Sequence, residues 1–120
     1  MNIEKVTKNN TEIAVITADE KLITDVGSAL DLVMTAKYET GTKNIAVDKE
    51  CVADEFFVLS TGLAGEILQK FINYGVRFAV YGDYSRYTSK PLHDFIYESN
   101  NGKDVFFTET KNEAIDMLAK

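Results

Sequence analysis

The sequence contains no tryptophan, one cysteine (Cys51), one histidine (His93), one proline (Pro91) and two arginines (Arg77 and Arg86). Each scarcity removes a class of function. A lone cysteine forms no intrachain disulfide and no multi-thiolate metal site, and a lone histidine builds no His-rich zinc site. One proline and no Ser-rich tract leave no linker, so residues 1–120 read as one domain. Charge is also short on one side. Against 19 Asp plus Glu there are 13 Lys plus Arg, a net charge of -6, with no basic stripe for a phosphate backbone. Nucleic acid is therefore not an expected partner, and an anionic membrane surface is disfavoured too. No apolar run approaches the roughly 20 residues of a membrane-spanning helix. The polar start, Met1 to Lys5, lacks the apolar segment of a secretory leader. The expectation is a soluble protein kept in a reducing cytoplasm.

What is present is a regular alternation of apolar segments. With 45% apolar residues in 120, the chain can bury a core without disulfides or metal. Ile3 to Lys8 and Glu12 to Thr17 read as two strands joined at Asn9-Asn10, residues that tolerate the positive φ of a tight hairpin. Thr24 or Asp25 can cap a helix that carries Val26, Leu30, Val33 and Met34 on one face and stops at Gly41. Lys43 to Asp48 is a buried strand. Glu50 to Leu59 reads as a short helical turn followed by an extended segment. Ser60 or Thr61 then caps a helix whose predicted inward face is Ala64, Leu68, Phe71 and Ile72, with Gly65 placed to let it approach the sheet. Val76 to Tyr81 is a strand. Ser89 or Lys90 opens a helix at Pro91, with Leu92, Phe95 and Ile96 inward. Asp104 to Thr108 is the last strand and Asn112 to Leu118 the last helix, with Ala114, Ile115 and Leu118 inward.

The triplets Ile13-Ala14-Val15, Ile45-Ala46-Val47 and Phe78-Ala79-Val80 recur at strand-helix spacing. Either they form a row of alanines under a closely packed helix, or they reflect only the frequency of Ala in apolar strands. Alternating strands and helices predict an α/β fold: a single small domain with a mostly parallel four- to five-stranded sheet.

The element order, with Asn44-Ile45-Ala46-Val47-Asp48 followed by Ser60-Thr61-Gly62-Leu63, a helix and Gly75, resembles the STAS domain of sulfate transporters and anti-sigma factor antagonists. That resemblance implies sequential strand order. Leu59 stands where the STAS switch turn carries an Asp, a departure from the STAS pattern at the seat of its phosphoregulation that leaves open whether Ser60 or Thr61 is phosphorylated. The second half is similar to a bacterial family catalogued as domain of unknown function 4180. The likeness rests on Glu55-Phe56-Phe57, the run Thr61 to Phe71, Gly82-Asp83-Tyr84-Ser85, Ser89-Lys90-Pro91-Leu92 and the run Asp94 to Asn100. It covers about residues 12 to 118 and implies no activity.

Two segments follow core strands and should share the carboxyl edge of a parallel sheet, where ligand contacts gather. One is Ser60-Thr61-Gly62, whose helix amides either are capped by Ser or Thr or receive an anion or phosphate. The other is Gly82 to Lys90, either a solvated connection or a ligand loop. It supplies Asp83, Tyr84, Ser85, Arg86, Ser89 and Lys90, with His93 just beyond. Arg86 and Lys90 are the expected anchor for an anionic group. His93 shares a helix face with Tyr97 and Asn100 and reads as a surface residue. A Ser85, His93, Asp94 triad is geometrically poor because adjacent helix residues do not face each other. Cys51 lies among acidic residues, which raise a thiol pKa and oppose nucleophilic use. Asp48, Glu50, Asp54 and Glu55 read as solvated rather than metal-binding.

The function expected from this pattern is a non-enzymatic module binding a partner protein or a small anionic ligand. No cofactor or metal is called for, and a homodimer is compatible with it. The alternative is a small hydrolase or transferase at the Asp83 to His93 edge. A flat edge with exposed aromatics would favour the module, and a pocket joining His93 to Asp83 would favour the enzyme.

Overall fold

The computed structural model describes all residues, 1–120. Its order is β1 (Asn2–Lys8), β2 (Thr11–Thr17), α1 (Val26–Thr40), β3 (Asn44–Asp48), α2 (Leu63–Asn73), β4 (Arg77–Tyr81), α3 (Lys90–Asn100), β5 (Val105–Thr108) and α4 (Lys111–Leu118). The five strands form one sheet in sequential order, β1-β2-β3-β4-β5. Only β1 is antiparallel, closed onto β2 by Asn9 and Asn10, both at positive φ.

Sequential order has a direct consequence. Crossovers of one hand that always step in one direction place every connecting helix on the same face. Accordingly α1, α2 and α3 cover one side, over Ala14, Ile16, Ile45, Val47, Phe78, Val80 and Phe107. The last helix has no further strand to feed. It turns under the sheet, where Ala114, Ile115 and Leu118 meet Ile13, Val15, Ala46, Ala79 and Phe106. Both sheet faces are thus covered, as uninterrupted apolar strands require.

The register corrects the expected alanine row. Ala46 pairs with Ala79, but Ala14 pairs with Ile45. A one-residue offset moves a side chain to the opposite face. Ala14 therefore lies under α1–α3, and α4 packs over Ala46 and Ala79 alone.

The helix boundaries follow local chemistry. Asp25 and Ser28 form a capping box at α1, and Gly41 ends it in the left-handed conformation. Thr110 and Glu113 form a second box at α4. Two expected core positions differ. Ile72 is 54% exposed, because it lies roughly 90° around α2 from the inward stripe of Ala64, Ile67, Leu68 and Phe71. Phe95 is half-buried, since α3 lies along the edge strand β5. Gly65 is exposed and meets no atom at its open side, so close approach to the sheet is not its role.

The free edge of β5 is closed by a side chain. Asn100 accepts the Phe107 N–H at 2.7 Å and donates to the Phe107 carbonyl at 3.0 Å, standing in for a sixth strand. Asn100→Ala is expected to destabilise the domain by about 1–3 kcal/mol, since it strips both partners from a half-buried backbone unit. Hydrogen exchange at the Phe107 amide checks this, and unchanged protection would refute it.

No helix is long and apolar enough to cross a membrane.

Candidate functional site

The carboxyl ends of β3, β4 and β5 point to one edge, and the segments after β3 and β4 meet there. The first of these is not the expected turn plus extended strand. Residues Lys49–Cys51, Asp54–Phe57 and Leu59–Thr61 form three successive 3-10 turns. The Asp48 carboxylate accepts the Glu50 N–H at 2.9 Å and starts the first. Ala53 N–H donates to the Ile23 carbonyl at 2.8 Å, anchoring the segment to the loop before α1. This winding turns Phe56 and Phe57 inward, where they meet Phe107.

A cleft of about 510 Å³ opens between this segment and the loop after β4. Phe57, Val58, Leu59 and Ser60 form one wall; Arg86, Tyr87, Thr88, Ser89, Pro91 and Leu92 form the other. The expected convergence of the two segments is therefore present, but only Ser60, Arg86 and Ser89 of the expected site residues line the cleft.

Most of the expected site residues, whether or not they line the cleft, have local structural roles. Thr61 does not cap α2 through its side chain in the usual way; the N-cap is Gly62, at φ 79°. The Thr61 hydroxyl lies 2.9 Å from both the Glu55 and Val58 carbonyls and accepts the Leu63 N–H at 3.2 Å. Ser60 is exposed, and its hydroxyl has no partner within the chain. Asp83 accepts the Ser85 N–H at 2.8 Å. That bond and the Ser85 hydroxyl hold its carboxyl below the usual carboxylate range, with Lys49 and Arg86 adding smaller attractions. Tyr84 turns inward, not outward: its hydroxyl donates to the Val80 carbonyl at 2.8 Å and its ring packs on Phe57 and Phe107. Burial pushes its pKa up. Tyr81 behaves alike, its hydroxyl pushed up to about 12 by burial first and Asp48 second. Ser89 caps α3, accepting the Leu92 N–H.

The expected cationic anchor is already engaged. Arg86 donates to Asp54 at 2.8 Å and to the Tyr87 hydroxyl at 3.0 Å, while Lys90 donates to Asp94 at 2.7 Å, one turn along α3. Both pairs are exposed and contribute little to stability. His93 lies with Nε2 at 2.7 Å from the Tyr87 carbonyl and makes no hydrogen bond to Asp83 or Asp94. The face it shares with Tyr97 and Asn100 is divided in use: Tyr97 is exposed, and Asn100 is committed to β5. Cys51 is buried, and desolvation followed by Asp48 raises its thiol pKa. No three His, Cys, Asp or Glu side chains are grouped to hold a metal ion.

Lys49 is the residue the sequence did not single out. It follows β3 directly and is only 6% exposed. Its Nζ lies 4.9 Å from the centre of the Tyr87 ring and 5.4 Å from that of Phe57, two rings stacked at 5.4 Å. Nζ makes no salt bridge and no hydrogen bond. The stem is packed away from water while the ammonium tip stays within reach of solvent. Cation–π contact with the two rings contributes about 0.5–2 kcal/mol there. A lysine after an apolar strand ordinarily reads as a solvated strand end. The only signal in the sequence was Gly82, which ends the neighbouring strand and whose missing side chain makes room for the Lys49 stem.

These features define a small α/β domain with a sequential five-stranded sheet and a cleft at its carboxyl edge, between an aromatic 3-10 segment and a polar loop. The chain belongs to the family described as Domain of unknown function (DUF4180), whose pattern matches residues 8–118. No curated protein and no solved structure matches it.

Proposed function

We propose that the domain is a non-enzymatic binding module of the bacterial cytoplasm, receiving an anionic small ligand or an acidic segment of a partner protein at the carboxyl-edge cleft. The observation that carries this reading is the meeting of two separate segments, Phe57–Ser60 and Arg86–Leu92, around one cavity whose lining joins apolar Phe57, Val58, Leu59 and Leu92 to polar Ser60, Thr88 and Ser89 and one cation, Arg86. Apolar walls with a few convergent polar groups are the common form of a ligand site. Sequential strand order is in keeping with the STAS likeness of the sequence and leaves no interior switch point, the usual seat of an α/β enzyme crevice. The hydrolase or transferase alternative lacks its supporting geometry, since His93 bonds a backbone carbonyl and Asp83 a backbone amide. The lone, buried Cys51 suits a reducing compartment.

The test is amide NMR of the labelled protein titrated with citrate and with a short acidic peptide carrying one aromatic residue. Shifts confined to Phe57–Ser60 and Arg86–Leu92 are expected, weakened in Arg86→Ala with folding intact. Shifts centred elsewhere, or none with either probe at millimolar concentration, overturn the reading.

A further inference from the structure

We propose that the anion-binding centre of this edge is the Lys49 ammonium, which takes one oxyanion group, a carboxylate or a phosphate, at the Phe57–Tyr87 stack. The inference rests on the cleft reading above and names the group that would receive the charge.

Among the cations near the cleft, Arg86 and Lys90 already have carboxylate partners, and Lys49 has none at ion-pair distance, Asp83 attracting it only weakly from further off. An ammonium carries three donors and no acceptor, and none of the three is used by the chain. The tip is not sealed: no buried side-chain nitrogen or oxygen is left without a partner, so the bond-free Nζ keeps a path to solvent. The stem is fixed by packing. A Cβ at Gly82 would stand 2.7 Å from the Lys49 Cβ, so the glycine and the lysine occupy complementary space. Both rings that flank Nζ line the cleft, so the ammonium adjoins it through them although Lys49 is not itself one of the lining residues. A fixed, partly desolvated cation binds an anion more strongly than a mobile surface lysine, because less side-chain freedom is lost and screening is weaker. The overall charge of -6 makes selective attraction of anions a local property of this edge, not a general one.

The experiment uses inorganic phosphate and acetate at constant ionic strength, with chloride as the balancing anion. Two readouts are followed: the Nζ resonance of Lys49 in the labelled wild-type protein, and the melting temperature, which rises with any ligand that binds only the folded state. A saturable Nζ shift and a rising melting temperature with phosphate, acetate or both are expected. Which of the two binds tighter identifies the oxyanion. Lys49→Met keeps the stem and removes the charge; it should fold at least as stably and bind about tenfold more weakly or worse. Lys49→Arg should retain binding within a few-fold. An unshifted Nζ in the wild type overturns the proposal without needing any variant. So does a Lys49→Met protein that binds either anion undiminished. If that variant still shows cleft shifts with the acidic peptide, the cleft reading survives and only the role of Lys49 fails.

Discussion

Phe71→Ala is expected to lower the free energy of unfolding by about 3–5 kcal/mol. Phe71 is 1% exposed and sits in the middle of the α2 stripe, with its ring edge-on to Phe78 of β4 at 5.0 Å. The sheet below and α1 beside it cannot both move in to fill the void. For a domain of this size the melting temperature should fall by roughly 10–20 °C. The neighbouring Ile72→Ala supplies the comparison. Its side chain is largely in water, so the loss should stay under about 1 kcal/mol. Urea melts of the two variants separate the cases. Equal losses would mean that α2 presents a different face to the sheet.

Gly82→Ala is expected to cost about 2–4 kcal/mol, from two sources of about 1–3 kcal/mol each that do not fully add. Gly82 has φ 155°, a conformation that side chains resist, and the new Cβ would press on the Lys49 Cβ at 2.7 Å. The obstructing atom is next to the backbone, so rotating the lysine tip gives no relief. The strand ends of β3 and β4 must separate, or the Lys49 stem must leave its place beside Phe57 and Tyr87. Gly65→Ala is the matched control. Its Cβ would meet open space in an exposed turn of α2, and a helical alanine in place of glycine should be neutral or stabilising by up to about 1 kcal/mol. Thermal melts of both variants decide the matter. A Gly82→Ala protein as stable as the wild type would refute the tight packing of Gly82 on Lys49, and with it the fixed position of the ammonium.

The two predictions bear on function through one physical link. The Phe71 core holds the sheet and its helices as a rigid support. Gly82 sets the spacing of two strand ends, and that spacing holds an ammonium among aromatic rings. A binding group is precise to the extent that its stem is packed.

Much of this was determined by the sequence alone. Period-2 and continuous apolar runs defined five strands, and helical spacing with Asp25, Gly41 and Ser89-Pro91 defined four helices, the cap of the last one, Thr110, emerging only from the structure. Such signals are local: they depend on residues a turn or a pleat apart, and the chain carries them wherever it folds. Alternation then dictated a mostly parallel sheet, and the position of the loops after strands predicted that the Ser60-Thr61-Gly62 turn and the Gly82 to Lys90 loop would share an edge. What only the tertiary structure decided was relational. The register of β2 on β3 sent Ala14 to one face and Ala46 to the other, because neighbouring strands choose their offset by packing. Three 3-10 turns replaced the expected extended segment, because Phe56 and Phe57 are drawn to Phe107, some fifty residues further along the chain. Arg86 found Asp54, and Tyr84 turned inward to Val80. Lys49 reads from sequence as an ordinary solvated lysine. It became a lysine with a buried stem and no ion-pair partner because Gly82, Phe57 and Tyr87, each from a different segment, close around it, and burial is a property of the assembled fold rather than of any residue in it.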